Sequence, residues 1–148
     1  MTIEELQRQV GQHVSTSDWF EVDQTRIDQF AVATEDHHDI HVDPEAARDM
    51  PFGQTIAHGF LTLSMLAPFY NTGFPKIDGR QYGLNYGFNR VRFLAPVKSG
   101  KRIRGHFTVL SLLEKQAGNY RINMEVTVEI EGEEKPAMIA EWVTFVVV

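Results

Sequence analysis

The hydrophobic pattern divides the chain into two halves of different character. Tyr120, Ile122, Met124, Val126, Val128 and Ile130 alternate without a break against Arg121, Asn123, Glu125, Thr127, Glu129 and Glu131. A period of two sends successive side chains to opposite faces, so this segment predicts an antiparallel strand with one dry face and one wet face. Ile103–Leu113 and Ala137–Val148 predict two more long strands. Ala117-Gly118-Asn119 and Glu131-Gly132-Glu133-Glu134 supply the turns that join them. Tyr82–Phe93 predicts a fourth strand, in which Gly83 and Gly87 mark bulges or close backbone approaches.

The first half predicts helices and loops. Thr2 and Glu5 have the spacing of a capping box ahead of a short helix. Ser17–Val22 predicts a short strand with Trp19 and Phe20 as buried anchors. Thr25 with Asp28 marks a second helix start, and Ile27, Phe30 and Ala31 then share one face until the pattern ends near Thr34–Asp36. Asp43-Pro44-Glu45 combines a capping side chain, a proline at the first helical position and an acid in the first turn. A helical segment is expected from Ala57 to about Phe69, and from Phe60 onward only Thr62 and Ser64 interrupt the apolar residues, which predicts a helix buried around its circumference and stopped by Pro68 and Gly73. A sheet of five or six strands buries such a helix by curling around it. The expected fold class is therefore α+β, an antiparallel β-sheet wrapped around a long buried central α-helix, with residues 1–148 forming one domain.

Composition removes several function classes. There is no cysteine, hence no disulfide, thiolate nucleophile or cysteine-held metal. No stretch approaches the roughly 18–20 apolar residues that span a bilayer, and Met1–Arg8 lacks the basic-then-apolar order of a secretion signal. The expectation is a cytoplasmic protein without a membrane partner. A net charge of −6 argues against nucleic acid as a partner. The charge is unevenly placed, however. Between Arg80 and Leu113 there is no acid, yet Arg80, Arg90, Arg92, Lys98, Lys101, Arg102 and Arg104 make up half of the 14 cationic residues. That segment either docks an acidic or phosphorylated ligand or pairs across strands with Glu125, Glu129, Glu131, Glu133 and Glu134.

The densest polar cluster is Glu35-Asp36-His37-His38-Asp39-Ile40-His41-Val42-Asp43, in which seven of nine residues titrate. A carboxylate and an imidazole together can hold and deprotonate a water, and histidine is the natural base near neutral pH. Gly53-Gln54-Thr55-Ile56-Ala57-His58-Gly59-Phe60 then opens the apolar helix, where a glycine lets a ligand approach unpaired backbone N–H groups. Such donors suit an enolate-like oxygen. His37, His38 and His41 with Asp36 or Asp39 also have the donor types of a zinc or iron site. Neighbouring histidines on one loop need a distant ligand, and only His13, His58 and His106 remain, so no metal is expected.

Asp36-x-x-x-Ile40-His41-x-Asp43-Pro44, followed by Ile56-Ala57-His58-Gly59-Phe60 and then Asn89-Arg90-Val91-Arg92-Phe93-Leu94-Ala95-Pro96-Val97, resembles the signature of the MaoC-like hydratases. That family includes the (R)-specific enoyl-CoA hydratases and the nodulation protein N group. The resemblance implies the hot-dog fold and reversible hydration of a trans-2-enoyl thioester to the (R)-3-hydroxyacyl thioester, with no cofactor. It implies that Asp36 and His41 grip the attacking water and that the Gly59 N–H polarises the thioester carbonyl. His58 and Phe60, on either side of Gly59, join the expected substrate-binding set, and His38 and Phe52 are expected pocket residues. It also implies an acyl-CoA or acyl-carrier-protein substrate, and a homodimer with the site at its interface. The family commonly places Asn-Pro where this chain has His38-Asp39, which brings charge next to the acid. The competing readings are a hot-dog thioesterase and a non-catalytic acyl-thioester binding module.

Overall fold

A computed structural model describes residues 1–148. Four long strands carry the second half: β3 (Tyr82–Phe93), β4 (Lys101–Gln116), β5 (Asn119–Ile130) and β6 (Met138–Val147). Two short ones, β1 (His13–Thr16) and β2 (Phe20–Val22), lie one after the other along β4, giving an antiparallel order β1/β2–β4–β5–β6–β3. The predicted alternation is realised in β5: Ile122, Met124, Val126, Val128 and Ile130 are fully buried. They face the core with Ile103, Phe107 and Val109 of β4 and Met138 and Ala140 of β6.

The helices are α1 (Ile3–Gln7), α2 (Gln24–Thr34), α3 (Asp39–Val42), α4 (Pro44–Arg48), α5 (Gly59–Ser64) and α6 (Leu66–Gly73). The capping box of α1 forms as expected, with Thr2 and Glu5 each accepting the other's backbone N–H. The cap of α2 is Asp23, whose carboxylate accepts the Arg26 N–H, in place of the expected Thr25. Trp19 is likewise not a core anchor. It is only half-buried and serves as a platform under the guanidinium groups of Arg104 (4.3 Å) and Arg102 (5.7 Å).

The central helix departs from expectation in two ways. It is jointed at Met65, where α5 ends and α6 begins. Pro68 has no N–H to return to the Ser64 carbonyl, so one rung of the helical ladder is missing at the joint. It is also not covered on every side. Leu61, Met65, Leu66, Phe69 and Tyr70 are buried, whereas Phe60, Ser64, Ala67 and Asn71 form an exposed stripe, with Phe60 70% exposed. On the covered side the sheet comes very close. A Cβ on Gly105 would sit 3.1 Å from the Phe69 side chain, so only glycine lets β4 pack this tightly on α6.

β3 is the open edge of the sheet, and the exposed apolar residues gather on it. Tyr82, Leu84, Tyr86, Phe88 and Phe93 are all exposed, with Tyr86 at 69%. No helix is long and apolar enough to cross a membrane.

Part of the basic segment takes the expected cross-strand pairing. β4–β5 register sets Arg104 opposite Glu129, and Arg102 sits near Glu131. Arg104 pairs with Glu129 at 2.7 Å, Arg102 grips Glu131 with two N–H groups, and Lys101 lies 3.7 Å from Glu133. Arg80, Arg90, Arg92 and Lys98 make no salt bridge.

Candidate active site

The site lies where the segment after α2 meets the start of α5. Helix α2 ends on Glu35, a non-glycine residue at φ +60°. That left-handed turn reverses the chain at the helix end and delivers Asp36 to the mouth of the site. Asp36 is exposed, and its carboxylate has one long contact, from the His38 N–H at 3.5 Å.

The expected histidine-rich loop contains one helical turn, α3. His38 caps it, its Nδ1 accepting the Ile40 N–H at 3.3 Å. At the positions where the family commonly has Asn-Pro, His38 therefore performs an N-cap's work and Asp39 takes the first helical position, where a negative charge is favourable. Asp43 caps α4 in the expected way, accepting the N–H groups of Glu45 and Ala46.

His41 sits on α3 with 8% of its surface exposed. Its Nδ1–H donates to the Ile56 carbonyl at 2.7 Å. A carbonyl only accepts, so this bond fixes the tautomer and leaves Nε2 with a free lone pair. The backbone is fixed as well. Gln24 donates from Nε2 to the His41 carbonyl (2.8 Å) and accepts the Thr55 hydroxyl on Oε1 (2.6 Å). Burial pushes the His41 imidazole below its ordinary range, and His58 and His38 push the same way; the Ile56 carbonyl and the Asp36 carboxylate act in opposition. A histidine so placed is neutral at neutral pH, the form a general base requires.

Asp36, His41 and His58 come together: a carboxylate oxygen and one ring nitrogen from each histidine lie within 4.8 Å of one another. These three donors could share a water or a metal ion. The other donors considered from sequence, His37, His38 and Asp39, are not in that group.

Beside them is a cleft of about 310 Å³ lined by His41, Phe52, Gly59, Thr62, Phe93 and the segment Leu94–Val97, with Ile56, Ala57 and Ala137. Of the expected residues, His41, Phe52 and Gly59 line it, whereas Asp36, His58 and Phe60 do not. His38 does not line it, and its ring centre is 6.4 Å from that of His41. Phe60 projects outward against Phe93, with ring centres 6.4 Å apart. Gly59 begins α5, so its N–H has no carbonyl inside the helix to pair with, and the His58 side chain does not cap it. A Cβ at Gly59 would approach the Phe93 ring to 3.3 Å, narrowing the wall. A smaller cavity of about 130 Å³ lies further along the helix, between α6, β3 and β6, and is bordered by Tyr70, Arg80 and Trp142. Gln24, Thr55 and the Ile56 carbonyl, which hold His41, were not among the expected residues.

A curled antiparallel sheet packed on a jointed helix is the hot-dog fold. The same fold is seen in the (R)-hydratase from A. caviae involved in PHA biosynthesis, at TM-score 0.74 and 22% identity over 91% of this chain and 94% of that one. It is seen also in the MaoC-like dehydratase from Rhodospirillum rubrum, at TM-score 0.77 and 20% identity over 99% and 97%. The MaoC like domain model matches residues 5–134, and the chain belongs to the MaoC-like dehydratase family. It is 49% identical to nodulation protein N of Rhizobium leguminosarum bv. viciae, over 99% of this chain and 91% of that protein. It is 41% identical to 3-hydroxyacyl-thioester dehydratase Z of Mycobacterium tuberculosis, over 95% and 92%.

Proposed function

We propose that this chain is a hydro-lyase that adds water reversibly to a trans-2-enoyl thioester, giving the (R)-3-hydroxyacyl thioester. The observation that carries the reading is the free Nε2 of a buried, neutral His41 beside the Asp36 carboxylate, at the rim of a cleft that also holds Gly59. His41 Nε2 takes one proton from a water while the Asp36 carboxylate accepts the other hydrogen. The water oxygen bonds to the β-carbon, the double bond shifts towards the thioester, and the carbonyl oxygen gains charge opposite the Gly59 N–H. The proton held on His41 then passes to the α-carbon on the same face, so that one water is added and the base is restored. Dehydration is the reverse.

The unpaired Arg92 and Lys98 flank the cleft-lining stretch Phe93–Val97, which suits a substrate carried on an anionic handle, either coenzyme A or an acyl carrier protein. The exposed helix stripe and the open apolar edge at β3 support a homodimer that covers both cavities.

The test follows loss of the conjugated-enoyl absorbance of crotonyl-CoA with wild type, His41→Ala and Asp36→Ala. General acid/base groups contribute about 10²–10⁴-fold, so each variant should retain at most about 1% of the wild-type rate while staying folded. An unchanged rate in either variant refutes its role. Release of free thiol by the wild type, without loss of the enoyl signal beforehand, would make the protein a thioesterase.

A further inference from the structure

His58 was expected in the substrate-binding set, but the structure closes it off from substrate. Only 2% of its surface is exposed, and its Nδ1 is buried without a partner. What it touches instead is both halves of the catalytic pair. Its Nε2–H donates to the backbone carbonyl of Asp36 at 2.9 Å, across 22 residues of sequence. Its ring stacks on the His41 ring, with centres 3.9 Å apart and planes 26° from parallel. Phe30 of α2 packs against the same imidazole at 4.9 Å.

These contacts matter because Asp36 is otherwise poorly held. It follows a left-handed residue, it is exposed, and its carboxylate has only the long bond from His38. The His58 bond is the one hydrogen bond tying Asp36 to a distant part of the chain. The Ile56 carbonyl anchors one edge of the His41 ring but leaves rotation about that bond free, and the His58 stack sets the plane.

We propose that His58 is the positioning residue of this site, holding the Asp36 backbone by hydrogen bond and the His41 ring by stacking so that acid and base share one fixed frame. The inference rests on the hydratase reading. It assigns His58 no contact with substrate and no proton transfer.

Two replacements separate the contacts. His58→Phe keeps a flat ring against His41 and loses the donor to Asp36. His58→Gln keeps an N–H at a similar reach and loses the stack. The measurements are kcat, KM and the pH profile of crotonyl-CoA hydration, with the unfolding temperature of each variant. A misplacement near 1 Å costs on the order of 10²-fold. The Phe variant should therefore lose about that factor in kcat with KM unchanged, and the Gln variant, which regains the bond to Asp36 but lacks the stack, should recover only part of the loss. The groups facing His41 are His58, Asp36 and His38, and His58 and His38 lower its affinity for a proton. Removing the His58 imidazole in the Gln variant should thus move the acid limb of kcat/KM to higher pH.

A Phe variant with wild-type kcat overturns the proposal. So does a rise in KM with kcat retained, which would mean that His58 binds substrate. If the Phe variant fails to fold, the Gln variant decides alone, and a wild-type kcat in that variant overturns the proposal. Wild-type protein that leaves crotonyl-CoA untouched overturns the hydratase reading first, and the positioning role falls with it.

Discussion

Gln24 is the side chain whose loss should reveal how the base is held. It stands at the first position of α2 and reaches two backbone segments far apart in sequence, donating to the His41 carbonyl and accepting the Thr55 hydroxyl. Gln24→Met removes both bonds, together with an exposed one from Nε2 to the Asp28 carboxylate (2.8 Å), and preserves most of the volume. It strands the hydroxyl of Thr55, which is buried, and the carbonyl of His41, for which no other partner is present. A buried polar group left unpaired costs about 1–3 kcal/mol. Both bonds are only partly buried, so the lower end of that range, about 1–1.5 kcal/mol, applies to each, and the sum is about 2–3 kcal/mol. For a chain of this length each kcal/mol lowers the melting temperature by about 2–4 °C, which gives a fall of about 4–12 °C. Removing the stranded hydroxyl as well should return part of the loss, since replacing both partners by apolar groups is far less costly than replacing one. Thermal unfolding of Gln24→Met, Thr55→Val and the double variant closes the cycle. The expected coupling is about 1 kcal/mol or more, with the double variant less damaged than the sum of the singles. Hydration of crotonyl-CoA should fall in Gln24→Met as the His41 backbone loosens. A single-variant cost below about 0.5 kcal/mol, the range of an ordinary surface change, refutes the reasoning, and so does simple additivity.

Acid should weaken the fold through His41. Unfolded, it titrates near pH 6.5; folded, its pKa lies lower because of burial. Between those two values the unfolded chain binds the extra proton, so stability rises with pH. The contribution is complete above about pH 6.5 and is lost as pH falls towards the folded value. Urea midpoints taken downward from pH 7 should show this slope in wild type and a shallower one in His41→Gln; equal slopes would exclude it. For the assembly, Leu84→Lys and Tyr86→Lys place charge on the open β3 edge, where those side chains are 59% and 69% exposed. Sedimentation velocity should find a dimer in wild type and a monomer in the double variant, and a monomeric wild type would refute the interface.

The strands could be read from sequence because one face of the sheet is packed and the other is wet, and a period of two records that contrast directly. β1 (His13–Thr16) lay outside the expectation because His-Val-Ser-Thr has one apolar residue and no alternation to detect. The central helix shows a different limit. Hydropathy marks Phe60 as apolar but does not say whether its own chain covers it, and the exposed stripe at Phe60, Ser64, Ala67 and Asn71 is a property of packing alone. In the candidate site, Asp36, His41 and Gly59 could be picked out because they stand at the matching positions of a family signature. Their supports were not. A glutamine at a helix start and a threonine 31 residues away carry no pattern that pairs them, and the Ile56 carbonyl belongs to the backbone, which every residue shares. The charged segment lay between these cases. Its cross-strand pairing was one of two expectations, and only strand register could show that Arg102 and Arg104 go to Glu131 and Glu129 and leave Arg92 and Lys98 without a salt bridge.

Burying a general base works in two directions, and the arrangement around His41 reads as a balance between them. Desolvation disfavours the imidazolium, which keeps the base neutral and ready but also weakens its hold on the proton it must take. The stacked His58 adds to that effect, while the Ile56 carbonyl and the Asp36 carboxylate restore affinity for the proton. The two restoring groups differ in kind. The carbonyl is fixed in the core and acts at all times, whereas Asp36 is exposed and lies on a segment held chiefly by the His58 bond. In the hydratase reading, a substrate seated over the water between His41 and Asp36 would shield that carboxylate from solvent, and a carboxylate removed from water attracts a nearby imidazolium more strongly. In the hydratase reading the base would then be strongest when substrate is in place, with the increase supplied by the one member of the pair that is open to solvent when the cleft is empty.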